Sequence, residues 1–186
     1  MRSKAQLREA VRLARVDAAL AQEDRARLAH FRPWLAEAGI AAVYASTPGE
    51  PGTTALVDEL FAGGWEVRLP VLTREPDWAR FTGWPDTRPG WRGIPEPTGP
   101  RLGCGSLAEA GLVVVSCLLV DVAGFRLGVG GGWYDRALTH RSPGSLVVAW
   151  ARDAEVVAEV PREPFDLPCD GWVTESGCHG PAFTSR

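Results

Sequence analysis

The stretch GLVVVSCLLV, residues 111–120, decides the fold class. From Leu112 to Val120 it is almost unbroken apolar sequence, where a strand with one wet face would alternate polar and apolar side chains. The run predicts a strand over 112–120 that is buried on both faces, at the centre of a sheet with layers above and below it. SLVVAWA (145–151) reads the same way, and GWVT (171–174) predicts a short final strand. Upstream, residues 40–45 form a short apolar strand closed by the turn sequence STPGEPG (46–52), and residues 66–72 predict another. TALVDELFAGG (54–64) lies between them, with Thr53 or Thr54 as cap and a glycine pair as stop. That strand–helix–strand unit has the length a parallel crossover needs.

Ser3 and Gln6 have the spacing of a capping box, and Leu7, Val11, Ala14 and Ala18 follow at helical intervals, predicting a first helix from about Lys4 to Leu20. A second helical segment begins near Glu23, bends or restarts at Pro33 and ends with Gly39 as a left-handed cap. Strands alternating with helices predict one α/β domain over 1–186, with three layers and a mixed or mostly parallel sheet flanked by helices.

Residues 73–105 break this rhythm. The segment is rich in proline and glycine and carries Trp78, Trp84 and Trp91, which predicts a long loop that is ordered, because disordered segments are poor in aromatics. With Arg74, Arg80, Arg88 and Arg92 it has the ingredients of an RNA-stacking surface. The net charge of −3 and a pI near 5.7 give no basic field to support that, so no nucleic acid is expected. No stretch approaches the length of a membrane span, and the charged first residues lack a signal core. Cys104, Cys117, Cys169 and Cys178 show no CxxC spacing. A cytoplasmic monomer with free thiols is the expectation.

RLGVGGGWYDR, residues 126–136, then carries the chemistry. Gly128, Gly130, Gly131 and Gly132 leave backbone N–H groups unobstructed immediately before a helical WYDRAL, an arrangement able to cradle phosphate. The spacing matches neither the P-loop nor the dinucleotide fingerprint, so a tight turn is the alternative. Asp135 serves the helix dipole in one reading and holds Mg²⁺ in the other, if the loop binds phosphate. Lys4 and Arg8, at i and i+4, share one helix face. Alone they are a solvated surface.

These pieces, in this order, resemble the 5-formyltetrahydrofolate cyclo-ligase family. The likeness rests on Lys4-x-x-x-Arg8, YASTPGEPGT (44–53), GGWEVRLPV (63–71), GIPEP (93–97), the 126–138 loop and helix, and PFDLPCDGWVTE (164–175). It implies a Rossmann-like, ribose-phosphate-isomerase-like domain. The implied activity is the conversion of 5-formyltetrahydrofolate to 5,10-methenyltetrahydrofolate with ATP and Mg²⁺, releasing ADP and phosphate. It further implies that Lys4, Arg8, Arg126, Gly128, Gly130, Gly131, Gly132, Trp133 and Tyr134 bind ATP, and that Lys4, Arg8, Arg126 and Asp135 are catalytic. Glu50, Gly130 and Tyr134 would touch the folate, and Asp135 and Asp170 the metal. The tryptophan-rich segment would wall the pterin. The chain departs from the family pattern at Ser116-Cys117, where Pro-Gly is common, at Val129, where Tyr or Arg is common, and at Phe165, where a polar residue is common.

Overall fold

The computed structural model describes residues 3–15 and 20–184. The first helix, α1 (Lys4–Ala14), starts from the expected capping box: the Ser3 hydroxyl accepts the Gln6 N–H and the Gln6 side chain accepts the Ser3 N–H. It closes at Arg15, earlier than predicted; Ala18 of the expected apolar stripe lies outside the described residues. Leu20 belongs to the next helix, α2 (Leu20–Phe31), which starts before Glu23. Pro33 sits in a single 3₁₀ turn, Arg32–Trp34, after which the chain is irregular as far as Gly39. The expected left-handed cap at Gly39 is absent, since its φ is not positive; a side chain there would instead press on the Trp65 indole, 3.1 Å away.

Strand β1 (Ile40–Val43), helix α3 (Thr54–Ala62) and strand β2 (Glu66–Leu72) form the predicted crossover, with β1 and β2 parallel. Thr53 is the N-cap position of α3 but its hydroxyl donates to the Tyr44 carbonyl, so it fastens the helix to the end of β1 rather than capping it. The 73–105 segment is more regular than a loop. It holds the antiparallel edge strand β3 (Pro76–Arg80), paired with β2, and a two-stranded ribbon of β4 (Thr87–Pro89) and β5 (Pro95–Pro97). Proline is tolerated there because edge strands and strand ends do not need every N–H.

The nine-residue apolar run is two strands, not one. β6 (Leu112–Ser116) lies in the main sheet, and β7 (Leu119–Asp121) crosses into a small sheet with β8 (Arg126–Leu127) and β10 (Val156–Val157). After the short helix α4 (Trp133–Leu138) come β9 (Leu146–Trp150), β11 (Gly171–Thr174) and the hairpin strand β12 (Gly177–His179). The seven-stranded order is β12-β11-β9-β6-β1-β2-β3, parallel through its five central strands and antiparallel at both edges.

Alternation along the central strands builds two cores. Val43, Val114, Val148 and Trp150 face α2 and α3, burying Phe31, Leu56 and Leu60; Ala42, Val113, Val115, Val147 and Ala149 face α4 and the 3₁₀ turn at Cys104–Glu109. These are the outer layers of a three-layer α/β fold. A third cluster joins Val11 of α1 to Leu118, Leu119 and Leu127 of the small sheet, which brings the first helix beside the glycine loop.

Candidate active site

A cavity of about 1090 Å³ opens beyond the C-terminal ends of β1, β2 and β6. Ligands of open α/β sheets bind at that edge, where loops leave parallel strands. Thr47, Pro48 and Glu50 after β1, residues 72–74 after β2 and 116–118 at the β6–β7 junction line it, as do the ribbon tip, the 126–136 loop, Glu163, Phe165 and Asp166. Lys4 and Arg8 reach it from α1.

The glycine loop is open toward this space. A Cβ at Gly128 or Gly131 would meet nothing within 4 Å, whereas Gly130 (φ +107°) and Gly132 (φ +63°) hold backbone conformations that L-residues rarely adopt. Gly132 is the N-cap of α4 and no side chain caps that end. The loop is braced from outside. Arg8 Nε donates to the Gly128 carbonyl at 2.9 Å and Arg136 donates to the Gly131 carbonyl at 3.0 Å, so two cations stand against its backbone. Arg126, nearly buried, donates to Asp135 Oδ1 at 2.6 Å and to the Leu167 carbonyl at 2.8 Å. The Lys4 ammonium lies 3.5 Å from Glu163 and 3.6 Å from Asp166.

Glu50 closes its own turn: Oε2 accepts the Thr47 N–H and hydroxyl, each at 2.8 Å. The Tyr44 hydroxyl fastens the far side of the turn by donating to the Pro51 carbonyl. The Tyr134 hydroxyl is buried beside the Ser116 backbone, without a well-formed hydrogen bond. Desolvation, aided by Glu50, pushes its pKa well above the ordinary tyrosine value, so it stays protonated and keeps a proton to donate. Burial pushes the Cys117 thiol up in the same way, which makes it a poor nucleophile. Arg15 pins the cavity floor there, donating to the Cys117 carbonyl at 2.7 Å while paired with Glu155.

The structure therefore gathers Lys4, Arg8, Glu50, Arg126, Gly128, Gly130, Gly131, Gly132, Trp133, Tyr134 and Asp135 around one space. Asp170 is not with them. It precedes β11 at the opposite end of the parallel strands, where its carboxylate accepts the Val147 N–H at 2.7 Å and lies 3.4 Å from Arg141. The expected Asp135–Asp170 pair is thus not formed, and the carboxylate of that segment that lines the cavity is Asp166, four residues earlier. Among the described residues no three His, Cys, Asp or Glu side chains converge as a metal cage. Asp135, whose Oδ2 lies beside Gly132, fits Mg²⁺ in the manner that ion prefers, with one carboxylate and the remaining ligands from phosphate and water.

Of the three segment tryptophans, Trp91 alone lines the cavity. Trp78 is fully buried against Trp133, and the Trp84 indole donates to Asp58. Glu163, Asp166 and Arg136 also line the cavity, and only their placement by the tertiary fold distinguishes them from ordinary surface charges; Arg74 and Arg92, which the sequence offers to RNA, line it too.

Known proteins resemble this chain over most of its length. A family model described as the 5-formyltetrahydrofolate cyclo-ligase family matches residues 1–175. The 5-formyltetrahydrofolate cyclo-ligase of Mycolicibacterium smegmatis is 36% identical over 184 residues, covering 89% of this chain and 90% of that protein. Its counterpart from Escherichia coli K12 is 29% identical over 164 residues, covering 84% and 88%. The solved structure of Aquifex aeolicus 5,10-methenyltetrahydrofolate synthetase superposes with a TM-score of 0.82 at 27% identity, over 98% of this chain and 94% of that one. With the family model matching from the first helix to β11 and the fold shared with a solved relative, the chain belongs to the 5-formyltetrahydrofolate cyclo-ligase family.

Proposed function

We propose that this protein converts 5-formyltetrahydrofolate to 5,10-methenyltetrahydrofolate at the expense of ATP, with Mg²⁺ as the accompanying cation. The observation that carries the reading is the convergence of an open glycine loop, Lys4, Arg8, Arg126 and Glu50 on one cavity in a chain of this family. The reading extends to a cytoplasmic monomer, with which four free thiols agree.

The chemistry asks for positioning and charge neutralisation rather than a nucleophilic side chain. The formyl oxygen attacks the γ-phosphorus of ATP; an O–P bond forms and the bond to ADP breaks. N10 then bonds to the activated carbon and loses its proton to solvent, and the C–O bond breaks as phosphate leaves with the electron pair, closing the methenyl bridge. The Gly128–Gly132 backbone receives the phosphates, and Arg8, Arg126 and Lys4 offset their charge. Asp135 would hold Mg²⁺ against phosphate oxygens, and the ion supplies further neutralisation there. Glu50 has one oxygen engaged by its turn and presents the other to the N–H edge of the pterin. Tyr134 donates from its protonated hydroxyl, and Trp91 offers an aromatic face at the mouth.

One observation favours a second reading. Ser116, Cys117, Val129 and Phe165, the four departures from the family pattern, all line this cavity, so a different formylated or carboxylated compound would meet an altered wall. Purified protein mixed with 5-formyltetrahydrofolate, Mg²⁺ and ATP, with an ATP-free control, decides between them by the near-ultraviolet absorbance of the methenyl product. An ATP-dependent rise is expected. ATP binding without a rise favours the second reading, binding of both ligands without turnover makes the protein a non-catalytic homologue, and no ATP binding leaves the glycine loop a turn.

A further inference from the structure

We propose that Arg74 and Arg92, on the cavity rim beside Trp91, seat the carboxylates of the substrate's glutamate tail. The inference rests on the folate reading given above. 5-Formyltetrahydrofolate is a pterin joined through an aminobenzoyl ring to a glutamate, so its far end is an aromatic ring followed by two anions. A site for it needs a hydrogen-bonding floor, an aromatic face and cations at the exit.

The arginines and lysine of the cavity fall into two sets. Lys4, Arg8, Arg126 and Arg136 are each engaged, by Glu163 and Asp166, by the Gly128 carbonyl, by Asp135 and by the Gly131 carbonyl, and they gather at the glycine loop. Arg74 and Arg92 stand exposed on the β2–β3 turn and the ribbon tip, and neither makes an ion pair among the described residues. Their backbones are nevertheless held. Arg136 donates to the Arg74 carbonyl at 3.0 Å and to the Gly131 carbonyl at 3.0 Å, tying the Arg74 turn to the glycine loop. Buried Glu96 of the ribbon accepts the Leu72 N–H at 2.9 Å, tying the ribbon to the same turn.

Arg92 carries the second, independent observation. At φ +55° it is the one non-glycine residue with positive φ among the described residues, a conformation that a side-chain-bearing residue adopts only at a cost. The turn around it is closed by bonds from the Gly90 N–H to Ile94 and from the Ile94 N–H to Trp91. The result lays the guanidinium 4.5 Å from the centre of the Trp91 ring. Strain of this kind is kept where geometry is used. Here it fixes a guanidinium over the Trp91 ring at the cavity wall, a cation and an aromatic held together within reach of an aminobenzoyl ring and its carboxylates.

The test compares wild type with Arg74→Ala and Arg92→Gly, singly and together; glycine adopts φ +55° freely, so the second change removes the guanidinium without asking the backbone to move. The double variant is expected to raise KM for 5-formyltetrahydrofolate about tenfold while KM for ATP stays put, a loss equivalent to one or two exposed charge pairs. With 5-formyltetrahydropteroate, which lacks the glutamate, variant and wild type should no longer differ. An unchanged KM for the folate, or an equal effect on the tail-less compound, overturns the proposal; a rise in KM for ATP instead assigns the arginines to the triphosphate and also overturns it. Quenching of tryptophan fluorescence by 5-formyltetrahydrofolate without ATP is read in parallel. If turnover is absent even in wild type, the proposed reaction fails, and the dependence of that binding on the two arginines and on the tail still judges this subsite.

Discussion

Arg126 and Asp135 are joined at 2.6 Å across the base of the glycine loop, the guanidinium almost wholly buried and the carboxylate about one-third exposed. The pair ties β8 to the first turn of α4 and leaves Asp135 facing the cavity. Asp135→Asn keeps an acceptor for Arg126 and removes the charge a metal would need. It is expected to lower kcat roughly 100-fold at saturating Mg²⁺, well below the temperature at which the variant unfolds, and to lower the melting temperature because the buried Arg126 loses its counter-charge. Undiminished turnover would take Asp135 out of the metal's coordination.

Neighbouring glycines should respond differently to the same methyl group. At Gly131 a Cβ meets open space, so Gly131→Ala should fold like wild type yet raise KM for ATP about tenfold, because the methyl would occupy the space proposed for phosphate. At Gly130, φ is +107° and a Cβ would lie 3.3 Å from the Arg8 guanidinium carbon; Gly130→Ala should cost about 1–2 kcal/mol of stability as well. Denaturant titration beside steady-state kinetics separates the two effects.

The ribbon wall depends on Gly90 and Glu96. A Cβ at Gly90 would overlap the Glu96 carboxyl carbon at 2.2 Å, and Glu96 is what binds the Leu72 N–H. Gly90→Ala should therefore displace Trp91 and weaken folate binding several-fold, on the scale of one lost hydrogen bond, with ATP binding preserved. Tryptophan fluorescence titrations with each ligand check the asymmetry.

Stability should be most sensitive at Arg27. It is wholly buried and binds Asp24 at 2.7 Å, Glu175 at 3.1 Å and the Ala151 carbonyl at 2.7 Å, so it joins α2 to the ends of β9 and β11. Arg27→Ala should cost about 3 kcal/mol in a urea titration. A change no larger than that of an exposed pair would show the network to be dispensable.

Acid should loosen the β2–β3 edge through Glu66. Desolvation raises its pKa, but hydrogen bonds and attraction from Arg68 and Arg80 outweigh that and hold it below its ordinary value of 4.5. A carboxyl with a depressed folded-state pKa stabilises above its unfolded pKa, and the contribution vanishes as pH falls through the folded one. Denaturation midpoints should fall as pH drops below 4.5, with a shallower slope there for Glu66→Gln. Identical slopes would rule out the linkage.

Some of this was legible in residue order, and the failures share a cause. β2 (Glu66–Leu72) and β11 (Gly171–Thr174) begin and end where pattern and turn chemistry place them. The run at 112–120 misled because hydrophobicity reports burial and not which sheet does the burying; β6 and β7 are both buried, on either side of a change of sheet at Cys117-Leu118. β3 was hidden for a related reason, since its pairing with β2 is supplied from outside its own proline-bearing sequence. Asp166 and Asp170 are both plausible carboxylates by type. The cavity takes the first, while the Val147 N–H at the far end of β9 takes the second, and only the tertiary course of the chain sorts them.

Arg8 and Gly128, hydrogen-bonded at 2.9 Å, are 120 residues apart in sequence. At synthesis rates of about 5–20 residues per second, α1 therefore leaves the ribosome on the order of ten seconds before the loop it braces. Through that interval the apolar side of the helix, Leu7 and Val11, has none of the small sheet to cover it. α1 is thus made well before it is sheltered, which marks it as a segment of the nascent chain that chaperones and proteases meet before the loop it braces exists.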